Sequence, residues 1–211
     1  MASCDALQQM VLDYQSIRAE LPEVWFRVEG ELAHNPDFVS MSESVLEAVT
    51  RRRIWFEMKI LRKYQTLNKA IAPTGKKVIM IPGNYDLPLS DTAVAGYSIH
   101  ENTLTLEGIK FAGYGSAPVF TPGIPEELAA PFEESGSGAK LTSRPRDFML
   151  REHADVFVMH NPAYGTLDKL PRFGHCGSHG LREAVDEIEP RLVLSGHVHE
   201  HFGLLKLGQT Y

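Results

Sequence analysis

The chain has 211 residues, of which 43% are apolar and 23% are charged, and this composition is ordinary for a globular domain. Acidic residues outnumber basic ones by 27 to 21, and the basic residues are scattered apart from Arg51, Arg52 and Arg53. This balance argues against a protein that binds duplex DNA or an anionic membrane. Two cysteines, Cys4 and Cys176, are too few for an extracellular disulfide framework. With no signal-peptide pattern and no membrane-length apolar run, we expect a cytoplasmic protein.

The N-terminal third reads as helical, with two short strands. The spacing of apolar residues predicts a helix over Asp5–Glu20, and strands are predicted over Glu23–Val28 and Asp37–Met41. A long helix is predicted from Ser42 to about Leu67, because helix-forming residues continue without Gly or Pro. No internal repeat is present, so we expect one domain over residues 1–211, with residues 1–34 as an atypical N-terminal helical segment.

Short apolar runs that each end at a polar loop dominate the rest of the chain. Such runs without alternation predict strands that are covered on both faces. The four runs are Lys77–Ile81, Ile109–Ala112, Asp155–Met159 and Arg191–Leu194. Where strands run parallel, their carboxyl ends share one edge of the sheet, so we expect the polar loops to converge there.

Helices between these strands complete the predicted fold. They are expected near Arg144–His153 and over Ser178–Glu189, which gives an α/β layering. The segment Pro118–Ser143 is rich in Pro, Gly and Ser, and we expect a long loop that is either a mobile lid or disordered.

Histidine is the compositional outlier, since seven of the nine histidines fall between His153 and His201. Asn84, His160, His197 and His199 all follow predicted strands, so they are the residues that we expect to meet. Imidazole nitrogens and an amide oxygen suit a hydrolytic divalent metal that keeps positions open for water and substrate. Each of these histidines taken alone is more simply a surface residue.

Three motifs carry a resemblance to a known family. They are Gly83-Asn84-Tyr85-Asp86, His160-Asn161-Pro162 and Gly196-His197-Val198-His199, in this order and each after an apolar strand. In this respect the chain resembles the calcineurin-like metallophosphoesterase superfamily, whose motifs read G-N-H-D/E, H-x-P and G-H-x-H. The resemblance covers about residues 35–211.

The resemblance implies an α/β fold of the metallophosphoesterase type, a four-layer α-β-β-α sandwich, here incomplete at both ends. It implies hydrolysis of the ester of a small phosphorylated substrate at a centre of one or two divalent ions, Mn, Fe, Zn or Mg. Asn84, His160 and His197 look like ligands of one metal, and His199 looks like a ligand of the other.

Two departures from the family pattern bear on activity. No D-x-H motif occurs in this sequence, and Glu43-Ser44 stands where the family has Gly-Asp, so the bridging carboxylate is missing. Tyr85 stands where the family has the histidine that protonates the leaving group. A phenol with a pKa of about 10 is a poor proton donor near neutral pH.

Four further residues are candidates for the site. Asp86 is a catalytic candidate that could orient Tyr85, although an Asp in this position is as often a helix N-cap. His175, Ser178 and His179 are candidates for binding the substrate phosphate, with Ser178 at a predicted helix start. The simpler alternative is that Ser178 is an N-cap and that both histidines are exposed.

Three functions remain open from the sequence. The first is a metal-dependent phosphoesterase with one or two ions. The second is a catalytically impaired relative that binds a phosphorylated ligand or a partner protein in the same cleft, which the missing acidic ligands favour. The third is an unrelated α/β protein with a histidine-rich surface, which would require three ordered motifs to arise by accident.

Overall fold

The computed structural model describes residues 58–118, 130–171 and 173–211. The chain divides into two compact units, Met1–Leu67 and Asn68–Tyr211. The predicted elements between Asp5 and Met41, together with Glu43, lie outside the described residues. The single domain over residues 1–211, with its atypical segment 1–34, therefore stays a prediction.

Helix α1 covers residues 58–71 and so continues past the predicted end at Leu67. A 3-10 turn, Ala72–Thr74, follows it. The chain then leaves the helical conformation at Gly75, whose φ of 61° is left-handed and suits a residue without a Cβ.

The prediction of a strand over Lys77–Ile81 is wrong. Among the described residues it makes one isolated parallel bridge, between Met80 and Ser98. The Met80 amide donates to the Tyr97 carbonyl at 2.8 Å, and the Ile99 amide donates to the Met80 carbonyl at 2.9 Å. Pro82 follows directly and has no N–H to offer a ladder, so the apolar run ends where pairing would have to continue.

One sheet of four strands organises the second unit. Its strands are β1 (Asn102–Leu106), β2 (Ile109–Tyr114), β5 (Val156–Met159) and β8 (Leu192–Ser195), in the order β1-β2-β5-β8. β1 and β2 are antiparallel, whereas β2, β5 and β8 are parallel to one another. The three parallel strands match the predicted runs to within a few residues, which confirms the α/β class.

The hairpin that joins β1 to β2 was not predicted, although its turn has a clear chemical basis. Glu107 and Gly108 connect the strands, with φ values of 50° and 82°. Two positive φ angles in a two-residue turn match the twist of paired strands. Gly108 adopts this conformation without a steric penalty because it has no Cβ, and Glu107 adopts a positive φ although it has a side chain.

Two helices cover one face of the sheet. They are α2 (Arg144–Glu152) and α3 (His179–Ile188), close to their predicted limits, and they begin at the N-caps Ser143 and Ser178. The core between helices and sheet is apolar and consists of Ala112, Tyr114, Phe148, Met149, Ala154, Phe157, Met159, Ala163, Leu181, Ala184 and Val185. Alternate residues of β2 and β5 face this core, as the two-residue period of a strand requires.

Part of the predicted loop Pro118–Ser143 is ordered, which corrects that prediction. Residues 119–129 lie outside the described residues, but β3 (Glu134–Ser135) pairs with β4 (Thr142–Ser143) around a 3-10 turn at Gly138–Lys140. Two further short strands, β6 (Lys169–Leu170) and β7 (Gly174–His175), form a second small hairpin. The described residues therefore show one sheet and one helical layer of the four-layer sandwich, with these hairpins beside them.

His100 links the loop after β2 to the sheet. Its Nδ1 accepts the Gly115 amide hydrogen at 2.9 Å, and its half-buried ring meets the edge of the Tyr114 ring at 5.1 Å. Burial lowers the pKa of His100, Glu101 opposes this shift, and Arg144 adds to it. The folded protein thus holds His100 neutral, since a protonated Nδ1 could not accept this hydrogen bond.

We expect His100 to make stability depend on pH below about 6.5, the ordinary pKa of histidine. The unfolded chain takes up the proton at that ordinary pKa, while the folded chain takes it up only at a lower pH. Stability should therefore fall as the pH decreases from 7 to 5. In His100→Asn the free energy of unfolding, measured with urea, should have a smaller slope against pH. Equal slopes in the two proteins would contradict this prediction.

Candidate functional site

Asn84 lies in a tight turn that follows the Met80 bridge. The Gly83 amide donates to the Asp86 carboxylate at 2.7 Å, and the Asp86 amide closes back on the Gly83 carbonyl at 3.4 Å. The Ser116 amide donates to the Pro82 carbonyl at 2.8 Å, which ties this turn to the end of β2. Asn84 is buried in this turn, and the hydrogen bond from Gly83 to the Asp86 carboxylate stabilises the turn.

His160 is the first residue after β5 and meets Asn84 directly. Its Nε2 lies 3.1 Å from the Asn84 Oδ1. The His160 amide donates to the Tyr114 carbonyl at 3.1 Å, so the end of β2 positions it. A Cβ at Gly83 would lie 3.3 Å from the His160 ring, and glycine leaves room for this close approach.

His197 is held against His160 in an unusual backbone conformation. The two ring centroids are 5.3 Å apart, and the rings meet edge to face at 63°. The Val198 amide donates to the Gly196 carbonyl at 2.7 Å, so His197 is the central residue of a γ-turn, with a positive φ of 64°. This form of γ-turn is rare and strained in a residue with a side chain. A strained, half-buried histidine is typical of a positioned functional group.

Both half-buried imidazoles have lowered pKa values, which favours their neutral form near pH 7. Burial lowers the pKa of His160 to about 4, with further lowering by His197 and His199 and opposition from Asp86. Burial also lowers the pKa of His197. His199 lowers this pKa further, whereas Glu200 raises it. Neutral imidazole is the form that binds metal ions.

The structure therefore brings together Asn84, His160 and His197, as the sequence indicated. His199 is exposed, and it contributes to the lowered pKa of both other imidazoles. Tyr85 follows Asn84 in the same turn and is 44% exposed.

The candidate phosphate-binding residues belong to a neighbouring group. The Ser178 Oγ caps α3 by accepting the Leu181 amide hydrogen at 2.9 Å, and it donates to the Glu134 carboxylate at 2.5 Å. The same carboxylate accepts the amide hydrogens of His179 at 3.1 Å and Gly180 at 3.2 Å. An internal carboxylate thus binds the helix start at which the sequence suggested a substrate phosphate.

His175 has a buried partner that sequence reasoning missed. Its Nδ1 lies 2.5 Å from the Asp168 Oδ1. Asp168 precedes His175 by seven residues in an irregular loop, and this spacing has no periodicity that would have predicted the contact. Tyr164 and Glu134 were missed for the same reason.

Within residues 58–118, 130–171 and 173–211, no group of three or more His, Cys, Asp or Glu side chains is arranged to hold a metal ion. The two converging histidines and the amide of Asn84 are donors suited to a divalent cation. The described residues thus offer donors that suit a metal ion, without a complete ligand group among them.

Comparison with known proteins identifies the family. The family model of the calcineurin-like phosphoesterases matches residues 48–201, a span that contains all three motifs. The chain belongs to the calcineurin-like phosphoesterase family. Membership supports a hydrolase of the phosphoesterase type, in a family whose members generally bind divalent metal ions.

One solved structure supports the fold. One crystal structure superposes with a TM-score of 0.53 at 20% sequence identity, over 75% of this chain and 65% of the other. The chain thus spans slightly less than two thirds of that relative's length. The crystal structure of TT1561 of Thermus thermophilus gives a TM-score of 0.42 at 18% identity, over 64% of this chain and 61% of the other. No curated protein matches the sequence.

None of the helices in the described part of the chain is both long and apolar enough to cross a bilayer.

Gly115 keeps the end of β2 close to the Asn84 turn. A Cβ at Gly115 would lie 2.3 to 2.5 Å from atoms of Pro82. We expect Gly115→Ala to lower the free energy of unfolding by about 1–3 kcal/mol, because overpacking displaces this turn.

Gly96→Ala is the matched control, since a Cβ there meets nothing within 4 Å. Urea denaturation of both variants checks the prediction. Equal stabilities for Gly115→Ala and Gly96→Ala would contradict it.

Proposed function

We propose that the protein is a metal-dependent hydrolase of phosphate esters. The observation that carries this proposal is the contact of 3.1 Å between the Asn84 Oδ1 and the His160 Nε2, with the His197 ring beside them. An amide oxygen and two neutral imidazoles beside the carboxyl ends of the parallel strands β2, β5 and β8 are suited to a cation that activates water. Family membership supports the same class of reaction.

The divalent ion would be held by Asn84, His160 and His197, with His199 available from the same loop. The donor chemistry of these residues fits Mn, Fe, Zn or Mg, as one or two ions. When bound, the ion supplies positive charge for the phosphoryl oxygens and lowers the pKa of water. Without it, the Asn84 oxygen and the His160 nitrogen satisfy each other by a hydrogen bond.

Hydrolysis forms a bond between a water oxygen and phosphorus and breaks the ester P–O bond, and a proton ends on the leaving oxygen. Tyr85 adjoins Asn84, and its hydroxyl is the group that we assign to donate a hydrogen bond to this oxygen. Asp86 holds the turn that carries both residues through its hydrogen bond from Gly83. We further propose that the substrate is a small phosphorylated molecule and that the protein acts in the cytoplasm.

A second candidate function is a catalytically impaired relative that binds a phosphorylated ligand or a partner protein in the same cleft. The observation that favours it is that this sequence contains no D-x-H and has Glu43-Ser44 where the family has the Gly-Asp that supplies its bridging carboxylate. The lack of a three-member ligand group among the described residues favours it as well.

The metal proposal predicts a shared loss of metal and activity. Purified protein loaded with Mn²⁺ should hydrolyse p-nitrophenyl phosphate. His160→Ala and Asn84→Ala should each reduce kcat/KM by about 100-fold or more and lower the metal content by elemental analysis, because each removes a ligand.

His153→Asn is the control, since His153 is an exposed histidine at the end of α2 with a φ of 44°, which Asn tolerates. It should retain both the metal and the activity. Unchanged activity in His160→Ala and Asn84→Ala would exclude the assignment. Stoichiometric metal without any hydrolysis would favour the impaired relative.

Because Tyr85 stands beside Asn84, we expect the rate of hydrolysis to depend strongly on the leaving group. A phenol is poorly matched to proton donation near pH 7, so esters of basic alkyl alcohols should react far more slowly than aryl esters. Tyr85→His should raise the rate for alkyl phosphates by about 10-fold or more and change aryl phosphates little. The measurement is kcat/KM across a series of leaving groups, and a flat series in the native protein would refute this role.

A further inference from the structure

Asp168 is a carboxylate with no exposed surface in a loop at the protein surface. It accepts the amide hydrogens of Gly165 at 3.1 Å and Gly177 at 2.8 Å, and it bonds to the His175 Nδ1 at 2.5 Å. Burial acts to raise its pKa, but the hydrogen bonds from His175 and the two glycines outweigh burial and hold the pKa below its usual value. Asp168 is therefore ionised, and it fixes the hydrogen of the His175 ring on Nδ1.

His175 belongs to a cluster of three exposed rings. Tyr164 stacks on His179 with centroids 3.9 Å apart and an angle of 23° between the planes. The Tyr164 and His175 centroids are 5.6 Å apart. Tyr164 is 36% exposed, and the His175 side chain is 37% exposed. With Nδ1 bound to Asp168, the remaining ring nitrogen of His175, Nε2, is available for a ligand.

This ring cluster, Tyr164, His175 and His179, adjoins the loop that carries the candidate metal ligands. The Ser178 amide donates to the Pro162 carbonyl at 2.9 Å and the Tyr164 amide donates to the Ser178 carbonyl at 2.9 Å, which anchors the cluster on the segment that follows His160. Lys169 pairs with His175 in the β6–β7 hairpin, and its amide donates to the His201 Nδ1 at 3.1 Å. The ring cluster is therefore built on segments that adjoin both His160 and the loop of the G-H-x-H motif.

We propose that the ring cluster is the subsite for the leaving group of the phosphate ester, and that it selects substrates whose leaving group is aromatic. The inference rests on the proposed phosphoesterase function. Tyr164 and His179 offer a stacking surface, and the Nε2 of His175 accepts a hydrogen bond from the ring substituents. Asp168 is a positioning residue that holds His175 in this orientation.

A purely structural role explains less of the geometry. The bonds from Gly165 and Gly177 to Asp168 are sufficient to close the loop, and they would do so without any aromatic side chain. An aromatic ring inserted beside these exposed rings would bury apolar surface of both partners.

The test compares two activated substrates that differ in aromaticity, p-nitrophenyl phosphate and acetyl phosphate, with the Mn²⁺-loaded full chain. Tyr164→Ala should raise KM for p-nitrophenyl phosphate by roughly 10-fold, which is within the range for loss of a stacking partner. It should leave kcat for this substrate and KM for acetyl phosphate nearly unchanged. Tyr164→Phe keeps the ring and should retain the native KM.

Phe173→Ala is the matched control, because Phe173 is an aromatic residue of the same loop region that is 80% exposed and lies outside the ring cluster. It should change neither KM. Asp168→Asn should raise KM for the aromatic substrate alone. If Tyr164→Ala affects both substrates equally, or has no more effect than Phe173→Ala, the subsite proposal is overturned.

Calorimetric binding separates this proposal from the proposed function. AMP and ribose 5-phosphate share the same phosphate ester and differ in the aromatic base. The native protein should bind AMP at least about 5-fold more tightly, and Tyr164→Ala should abolish the difference. This result would support the subsite even if no substrate were hydrolysed. Equal binding of the two ligands by the native protein would overturn it, whether or not hydrolysis occurs.

Discussion

Tyr114, Met159 and Ser195 stand side by side as the last residues of β2, β5 and β8. The residues that follow them inherit this alignment, because the strands are parallel and their ladders are in register. His160 and the Gly196-His197 step leave the sheet at the same edge, and the Gly196 amide donates to the His160 carbonyl at 3.1 Å. The candidate site depends on this shared edge, since its residues are far apart in the sequence.

Burial then determines the chemical state of the side chains at this edge. In water, two adjacent histidines would be partly protonated near neutral pH and would repel each other. Here the loss of solvation lowers the pKa of His160 and of His197, and the Nε2–H of neutral His160 can donate to the buried Asn84 Oδ1. The strained backbone of His197 has a cost of about 1–3 kcal/mol, which the surrounding loop must offset.

The sequence predicted the parts of the fold that depend on local pattern. Val156–Met159 and Leu192–Ser195 are apolar runs that end at polar residues, and α3 has both an amphipathic pattern and a serine N-cap. Lys77–Ile81 has a similar pattern, but strand formation depends on partners, and among the described residues it finds one only at Met80. An apolar run in the sequence indicates that a segment is buried, but it does not indicate whether the segment pairs with another strand.

The candidate site was predictable to the extent that motifs mark strand ends. Asn84, His160 and His197 could be grouped because each follows an apolar run. The contact between Asp168 and His175 arises from the path of an irregular loop, and so does the approach of Glu134 to α3. Contacts of this kind have no period in the sequence, so they require coordinates.

Glu134 has a consequence for how the second unit unfolds. Its carboxylate accepts hydrogen bonds from the hydroxyls of Ser143 at 2.7 Å and Ser178 at 2.5 Å, which are the N-caps of α2 and α3. A single side chain thus joins a hairpin to the first turns of two helices. Fraying at any one of the three would expose the other two to water, so their backbone amides should exchange with solvent in one cooperative opening.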